Sequence, residues 1–213
     1  APADLEPILD AQLRLFCGGL EYEVAFHAID STCHTVIYED KSLTVETIPL
    51  DHRIACSGFL FRERPTLPHI RRDMIDFYGI PLSQINNIKN GTDWTTPDGD
   101  VVPNAKLTLP PNPPRSYAYC SDTRYMPHLY KMVKGVTLLY HESTYDASCA
   151  DRARLYFHST SQQAATVARD AEVGKLVLGH FSARYENEAG ILDEATAIFP
   201  NCVLAIEGMT IEL

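Results

Sequence analysis

Five side chains suited to acid–base or metal chemistry stand directly after apolar runs: Asp122 after "SYAYCS", His141 and Glu142 after "VTLLY", His158 before a helical stretch, and His180 after "KLVLG". Histidine nitrogens and carboxylate oxygens are good ligands for Zn²⁺ and good proton carriers. A strand-end aspartate is often only a helix cap, and a lone histidine is often a hydrogen-bonded core or surface residue. Repetition across three strand ends weakens those readings together, because caps do not need imidazoles. A Ser-His-Asp site is the obvious competitor, yet the sequence has no G-x-S-x-G elbow. It has no G-x-G-x-x-G or P-loop pattern either. Cys120, beside Asp122, sits in a strand pattern that implies burial rather than a reactive thiolate.

The elements that must position these groups follow from periodicity. Strands are expected at "SYAYCSD", "VTLLYHE", "KLVLGH" and "CVLAIE", and helices at "MPHLYKMV", "SQQAATVARDAEV" and "ILDEATAIF". Thr160 and Gln163 have the spacing of a capping box. Strand–helix alternation implies an α/β sheet with helices packed on it, and in such sheets ligands sit beyond the carboxyl ends of the strands. Upstream, Leu5, Ile8, Leu9, Leu13 and Phe16 predict a helix over residues 5–16. "HTVIYED" and "SLTVETIPL" read as a hairpin turning at Glu39–Lys41, and "ACSGFLFRE" as a further strand. Residues 63–115 differ: they hold most of the fourteen prolines, with polar turns and one expected helix over Pro68–Tyr78. They read as an inserted arm and loop in an otherwise single domain.

Composition limits the function classes. The 213 residues, 45% hydrophobic, fit a globular chain, and no apolar run is long enough to span a bilayer. The N-terminal residues lack the basic and apolar regions of a secretory signal, and the chain does not start with Met, which suggests processing or a cut from something longer. Six widely spaced cysteines without a C-x-x-C pair suit free thiols in a reducing cytoplasm. A net charge of −10 repels nucleic acid on average, so an RNA partner requires a segregated basic patch or bound cations.

The motifs "SDTR" (121–124), "HEST" (141–144), "HSTSQQAA" (158–165) and "GHFSARY" (179–185) resemble, in order and spacing, those of ribonuclease Z, the tRNA 3′-processing endonuclease. "IPLDHRIACSGFLFRE" (48–63) is similar to the segment that carries a further metal motif of that family. The resemblance implies a metallo-β-lactamase αββα sandwich with its N-terminal part missing. It implies a site for two Zn²⁺ ions with Asp122 bridging, His52 on one ion and His180 on the other. Glu142 and His158 would manage the leaving-group proton, with His141, Ser182 and Arg184 supporting. The partner would be precursor tRNA and the assembly a cytoplasmic homodimer, with no membrane involved.

Two departures qualify that expectation. The family's His-x-His-x-Asp-His motif is absent, so the chain alone is expected to bind zinc weakly and to be inactive. The arm lacks the family's usual Gly-Pro pair, and the loop before "SDTR" offers only Arg115 where relatives place several basic residues. Arg62, Arg64, Arg71, Arg72, Lys89 and Arg115 are the expected phosphate contacts. Two other readings compete: a small-substrate phosphodiesterase of the same fold, and a non-catalytic RNA-docking or dimerisation fragment.

Overall fold

The computed structural model describes residues 1–18 and 20–213. Its contacts divide the chain into two compact units, Ala1–Glu63 with Arg115–Leu213, and Arg64–Pro114. The first unit opens with helix α1 (Glu6–Phe16), as the apolar spacing predicts, yet none of its residues is buried. Strands β1 (Val36–Glu39) and β2 (Leu43–Pro49) form the expected antiparallel hairpin. Its turn is fixed by Asp40, whose carboxylate accepts from the backbone N–H of Ser42 and Leu43 at 2.7 and 2.9 Å. β3 (Ser57–Glu63) pairs antiparallel with β2.

The second unit carries a small core of its own. The short strand β4 (His69–Ile70) is followed by helices α2 (Arg72–Tyr78) and α3 (Leu82–Lys89). Then come β5 (Trp94–Thr95), β6 (Val101–Val102), α4 (Asn104–Leu107) and β7 (Thr108–Leu109). Ile80, Ile88, Val102 and Leu107 are buried together, with Met74, Ile75 and Trp94 against them. The expected helix over Pro68–Tyr78 starts later, at Arg72, because His69 and Ile70 pair with Leu109 and Thr108. Asn104 ties the unit together, donating from Nδ2 to the carbonyls of Ile88 and Thr92 at 2.6 and 3.0 Å.

The remainder of the first unit supplies β8 (Ser116–Cys120), α5 (Leu129–Met132) and β9 (Leu138–Glu142). It continues with α6 (Ala150–Tyr156), α7 (Ser161–Asp170), β10 (Lys175–Gly179), α8 (Ala189–Thr196) and β11 (Cys202–Leu204). Among the described residues one seven-stranded sheet runs in the order β1-β2-β3-β8-β9-β10-β11. β8 to β11 are parallel, which aligns their carboxyl ends. Ala118, Leu139, Leu176 and Leu178 share a fully buried core with Leu129, Val133, Ala164 and Ala168 of the helical layer. Each fully buried leucine contributes about 1.5–3 kcal/mol. On the other face Tyr119 and Tyr140 stack with centroids 4.8 Å apart. Gly179 lies against the Tyr140 ring, so a Cβ added there would force the phenol end to shift.

Candidate active site

The parallel register brings the expected groups to one rim. Cys120 and Leu178 both flank His141, and Gly179 flanks Glu142, so the residues that follow β8 and β10 emerge beside the end of β9. Asp122 lies two residues beyond β8 and His180 one beyond β10, where the chain turns through a left-handed φ of 58°. His158 follows the left-handed Phe157 (φ 62°) that closes α6, and precedes α7, whose Thr160–Gln163 capping box is formed. Such left-handed non-glycine residues are costly and concentrate at functional sites.

Asp122, Glu142, His158 and His180 each place one ligand-type atom so that all four lie within 4.8 Å of one another. His180 Nε2 is 3.0 Å from Asp122 Oδ1. The His158 and His180 rings stack at 5.1 Å, and the His52 ring lies 5.2 Å from that of His158. His52, which follows β2 at Leu50–Asp51, stands beside this four-atom group rather than in it.

Glu142 is fully buried, and its carboxylate is saturated by protein donors. It accepts from Thr123 N–H at 2.5 Å, Thr144 Oγ1 at 2.6 Å, Ser159 N–H at 3.0 Å, and His158 Nδ1 at 3.1 Å to both oxygens. Burial pushes its pKa up, but the hydrogen bonds from His158, Thr144 and Ser159 outweigh that, so the carboxyl stays below its usual range. The Glu142 hydrogen bond in turn raises His158 against the opposing effect of burial. A carboxylate so fully engaged is an orienting group for His158, not a free ligand.

The Thr144 hydroxyl proton goes to Glu142, so Thr144 Oγ1 accepts from Nδ1–H of His180 at 2.8 Å. His52 Nδ1 donates to the Phe157 carbonyl at 3.0 Å, and His158 Nδ1 donates to Glu142. His52 and His158 therefore keep Nε2 open among the described residues, while His180 Nε2 faces Asp122 Oδ1. The donor set of Asp122, His180 and the neighbouring His52 fits a metal ion.

The remaining expected residues divide into supports and surface cations. His141 is buried and donates Nδ1–H to its neighbour's carbonyl at 2.7 Å; burial lowers its pKa, and its Nε2 has no partner among the described residues. Ser182 N–H donates to the Thr144 carbonyl, and Arg184 lies over the Tyr145 ring, which joins the "GHFSARY" loop to the "HEST" loop. Arg62 pairs with Glu46 at 3.7 Å, Arg71 with Asp73 at 2.7 Å, Arg72 with Asp76 at 3.6 Å, and Arg115 with Glu63. Arg64 opens the second unit, and Lys89 ends α3. Burial pushes the Cys120 thiol well up, which removes it as a nucleophile. Sequence reasoning missed Thr123, Thr144, Phe157 and Ser159 as site residues. Two hydroxyl residues directly after Glu142 were the available signal.

No family model matches the chain. Ribonuclease Z of Phocaeicola vulgatus is 54% identical over 211 residues, covering 99% of this chain and 68% of that protein. The chain belongs to the ribonuclease Z family. Ribonuclease Z of Bacteroides fragilis is 51% identical over 100% of this chain and 70% of its own length, and that of Porphyromonas gingivalis 43% over 100% and 70%. Among solved structures, human tRNase Z, short form, superposes with a TM-score of 0.54 at 21% identity, covering 99% of this chain and 65% of its own. The metallo-β-lactamase fold protein YhfI from Bacillus subtilis gives 0.57 at 14%, covering 97% and 61%. These likenesses establish the metallo-β-lactamase fold.

Proposed function

We propose that this chain, inactive alone without the His-x-His-x-Asp-His motif, is part of a zinc-dependent endoribonuclease that removes the 3′ trailer of precursor tRNA by phosphodiester hydrolysis. The observation that carries the reading is the His158–Glu142 pair, held 3.1 Å apart at the edge of the Asp122–His180 cluster. Asp122, His180 and His52 would hold zinc, two ions in the complete site. Zinc, when bound, supplies Lewis acidity toward a phosphate oxygen and makes water nucleophilic near neutral pH.

Within that frame the protein's own task is the leaving group. As water's oxygen bonds to phosphorus, the bond from phosphorus to the 3′ oxygen breaks, and that oxygen needs a proton. Glu142 holds Nδ1–H of His158, so the ring presents only Nε2 to the substrate and donates from there. The products are a 3′-hydroxyl on the tRNA and a 5′-phosphate on the trailer. General-acid help of this type is worth about 10²–10⁴-fold.

The unit Arg64–Pro114 is proposed as the tRNA-gripping arm. Its own buried core supports a stable element rather than a slack loop. The intramolecular pairs of Arg71 and Arg72 are exposed, and exchange with phosphate costs such pairs little. The resemblance carries the homodimer and the cytoplasmic location; the six free cysteines agree with the latter. Among the described residues no helix is long and apolar enough to cross a membrane.

The test uses protein produced from its complete reading frame and a precursor tRNA labelled at both ends. The expected result is one cut leaving a 3′-hydroxyl, abolished by chelation and restored by zinc. Hydrolysis of bis(p-nitrophenyl) phosphate without any cut in the precursor would move the protein to the small-substrate phosphodiesterases.

A further inference from the structure

A cavity of about 350 Å³ opens against His158. Its wall includes Arg124, Tyr125, Asp151, Arg154, His158 and Gln163. We propose that this pocket seats the nucleotide whose 3′ oxygen departs, with Arg124 and Arg154 holding the phosphate on that nucleotide's 5′ side. The inference rests on the endonuclease reading above and names a substrate subsite for it.

Geometry supplies the first argument. A proton donor must come within hydrogen-bond reach of the oxygen it protonates. The nucleotide carrying that oxygen therefore lies against His158, and this cavity has His158 in its wall. Its volume falls within the range of small-ligand pockets, at about 300–1,000 Å³.

Charge supplies the second. In a chain of net charge −10, this wall carries two arginines against one acid. Asp151 is fully exposed and 3.7 Å from Arg154, a pairing that solvent makes weak. Arginine suits phosphate because its planar fork can donate two parallel hydrogen bonds.

Preorganisation supplies the third. Arg124 donates from Nε to Asp51 Oδ2 at 2.6 Å, and its guanidinium lies 4.6 Å from the centroid of the Phe157 ring. Both terminal NH₂ groups make no hydrogen bond among the described residues, so the fork is aimed and still open. Asp51 and Phe157 adjoin His52 and His158, so the phosphate clamp is built onto the residues that set the reacting centre. Gln163 uses Oε1 to accept from Thr160 N–H at 2.9 Å, which leaves its amide NH₂ for a ribose or base acceptor. Base stacking is open to Tyr125, which is half-buried in the same wall.

The smallest mimic of the product end is adenosine 5′-monophosphate, with a 5′-phosphate and a free 3′-hydroxyl. Its binding is measured by calorimetry on protein from the complete reading frame, before and after chelation, beside adenosine 3′-monophosphate and inorganic phosphate. The 5′-monophosphate should bind in both states, more tightly than inorganic phosphate. Arg124→Gln and Arg154→Gln should each weaken it about tenfold or more, the loss expected for one charged hydrogen bond. Arg154 is largely exposed, so its variant reports even if the Arg124 variant fails to fold. Equal affinity in wild type and Arg154→Gln, or equal affinity for inorganic phosphate and the nucleotide, would overturn the pocket. Precursor cleavage without nucleotide binding rejects the subsite and keeps the endonuclease reading. Nucleotide binding without precursor cleavage rejects that reading, and with it the pocket's place in the reaction.

Discussion

Thr144 Oγ1 lies 2.6 Å from Glu142 Oε2 and 2.8 Å from His180 Nδ1, so one hydroxyl joins the proposed proton-handling pair to a proposed metal ligand. The hydroxyl can satisfy both contacts only by donating to the carboxylate and accepting from the imidazole. That fixes His180 with Nε2 open toward Asp122. The "HEST" segment thus serves two purposes: Glu142 orients His158, and Thr144 orients His180.

Thr144→Val keeps the shape and removes the hydroxyl. Metal affinity, measured by competition with a chromophoric chelator, should fall by about 10–100-fold, the usual effect of losing a partner behind a metal-bound histidine. Unchanged affinity would mean that His180 is oriented by other contacts.

Asp122→Ala should remove metal and activity together, as read by elemental analysis and by precursor cleavage. His52→Ala should lower metal content without emptying the site, because His52 stands beside the four-atom group. A full metal complement in the Asp122 variant would overturn its assignment as a ligand.

Glu142 is buried beneath four donors, so its replacement has a stability cost separate from catalysis. Glu142→Ala leaves the N–H groups of Thr123 and Ser159 without an acceptor, at about 1–3 kcal/mol each. Denaturant unfolding should show a loss of about 2–6 kcal/mol. A loss below 1 kcal/mol would show that the surrounding groups find other partners, on the same scale.

Glu63 and Arg115 belong to one unit and sit at the two chain positions between which Arg64–Pro114 is inserted. Hydrogen bonding from Arg115 holds the Glu63 carboxyl down at about 2. A depressed carboxylate stabilises the fold above its unfolded pKa and loses that contribution as pH falls through the folded value. Glu63→Gln should therefore lower the thermal midpoint at pH 7, with the difference shrinking from about pH 4.5 down to about pH 2. A difference independent of pH would assign the effect to packing.

In protein from the complete reading frame, replacing residues 66–108 with a short Gly/Ser linker should weaken precursor-tRNA binding and spare hydrolysis of bis(p-nitrophenyl) phosphate. Each lost phosphate contact should reduce the salt slope by about 0.9. Unchanged tRNA affinity would reject the arm as a gripping element.

Much of this site could be read from the sequence because its side chains follow strands with strong apolar patterns. These runs form the parallel strands β8, β9 and β10, which end at Cys120, Glu142 and Gly179, and parallel pairing alone puts their ends together. What could not be read depends on contacts without a residue-type signature. The Phe157 carbonyl orients His52, and any residue has a carbonyl. Helix α3, "LSQINNIK", has no strong sequence signature, because its apolar residues are few and its surroundings rich in proline. The start of α2 is not legible locally, because His69 and Ile70 are held extended by Leu109 and Thr108, nearly forty positions away. The apolar residues of α1 predict a helix correctly, but their exposure shows that amphipathic spacing does not name the surface that covers it.

The central claim is that His158, oriented by Glu142, protonates the departing 3′ oxygen and is not needed to hold metal. The direct test is single-turnover cleavage of precursor tRNA by wild type and His158→Ala, produced from the complete reading frame and adjusted to equal metal content. The account predicts a fall of about 10²–10⁴-fold in rate with metal affinity nearly unchanged. A variant that cannot be loaded with metal, or that cleaves at the wild-type rate, would contradict it.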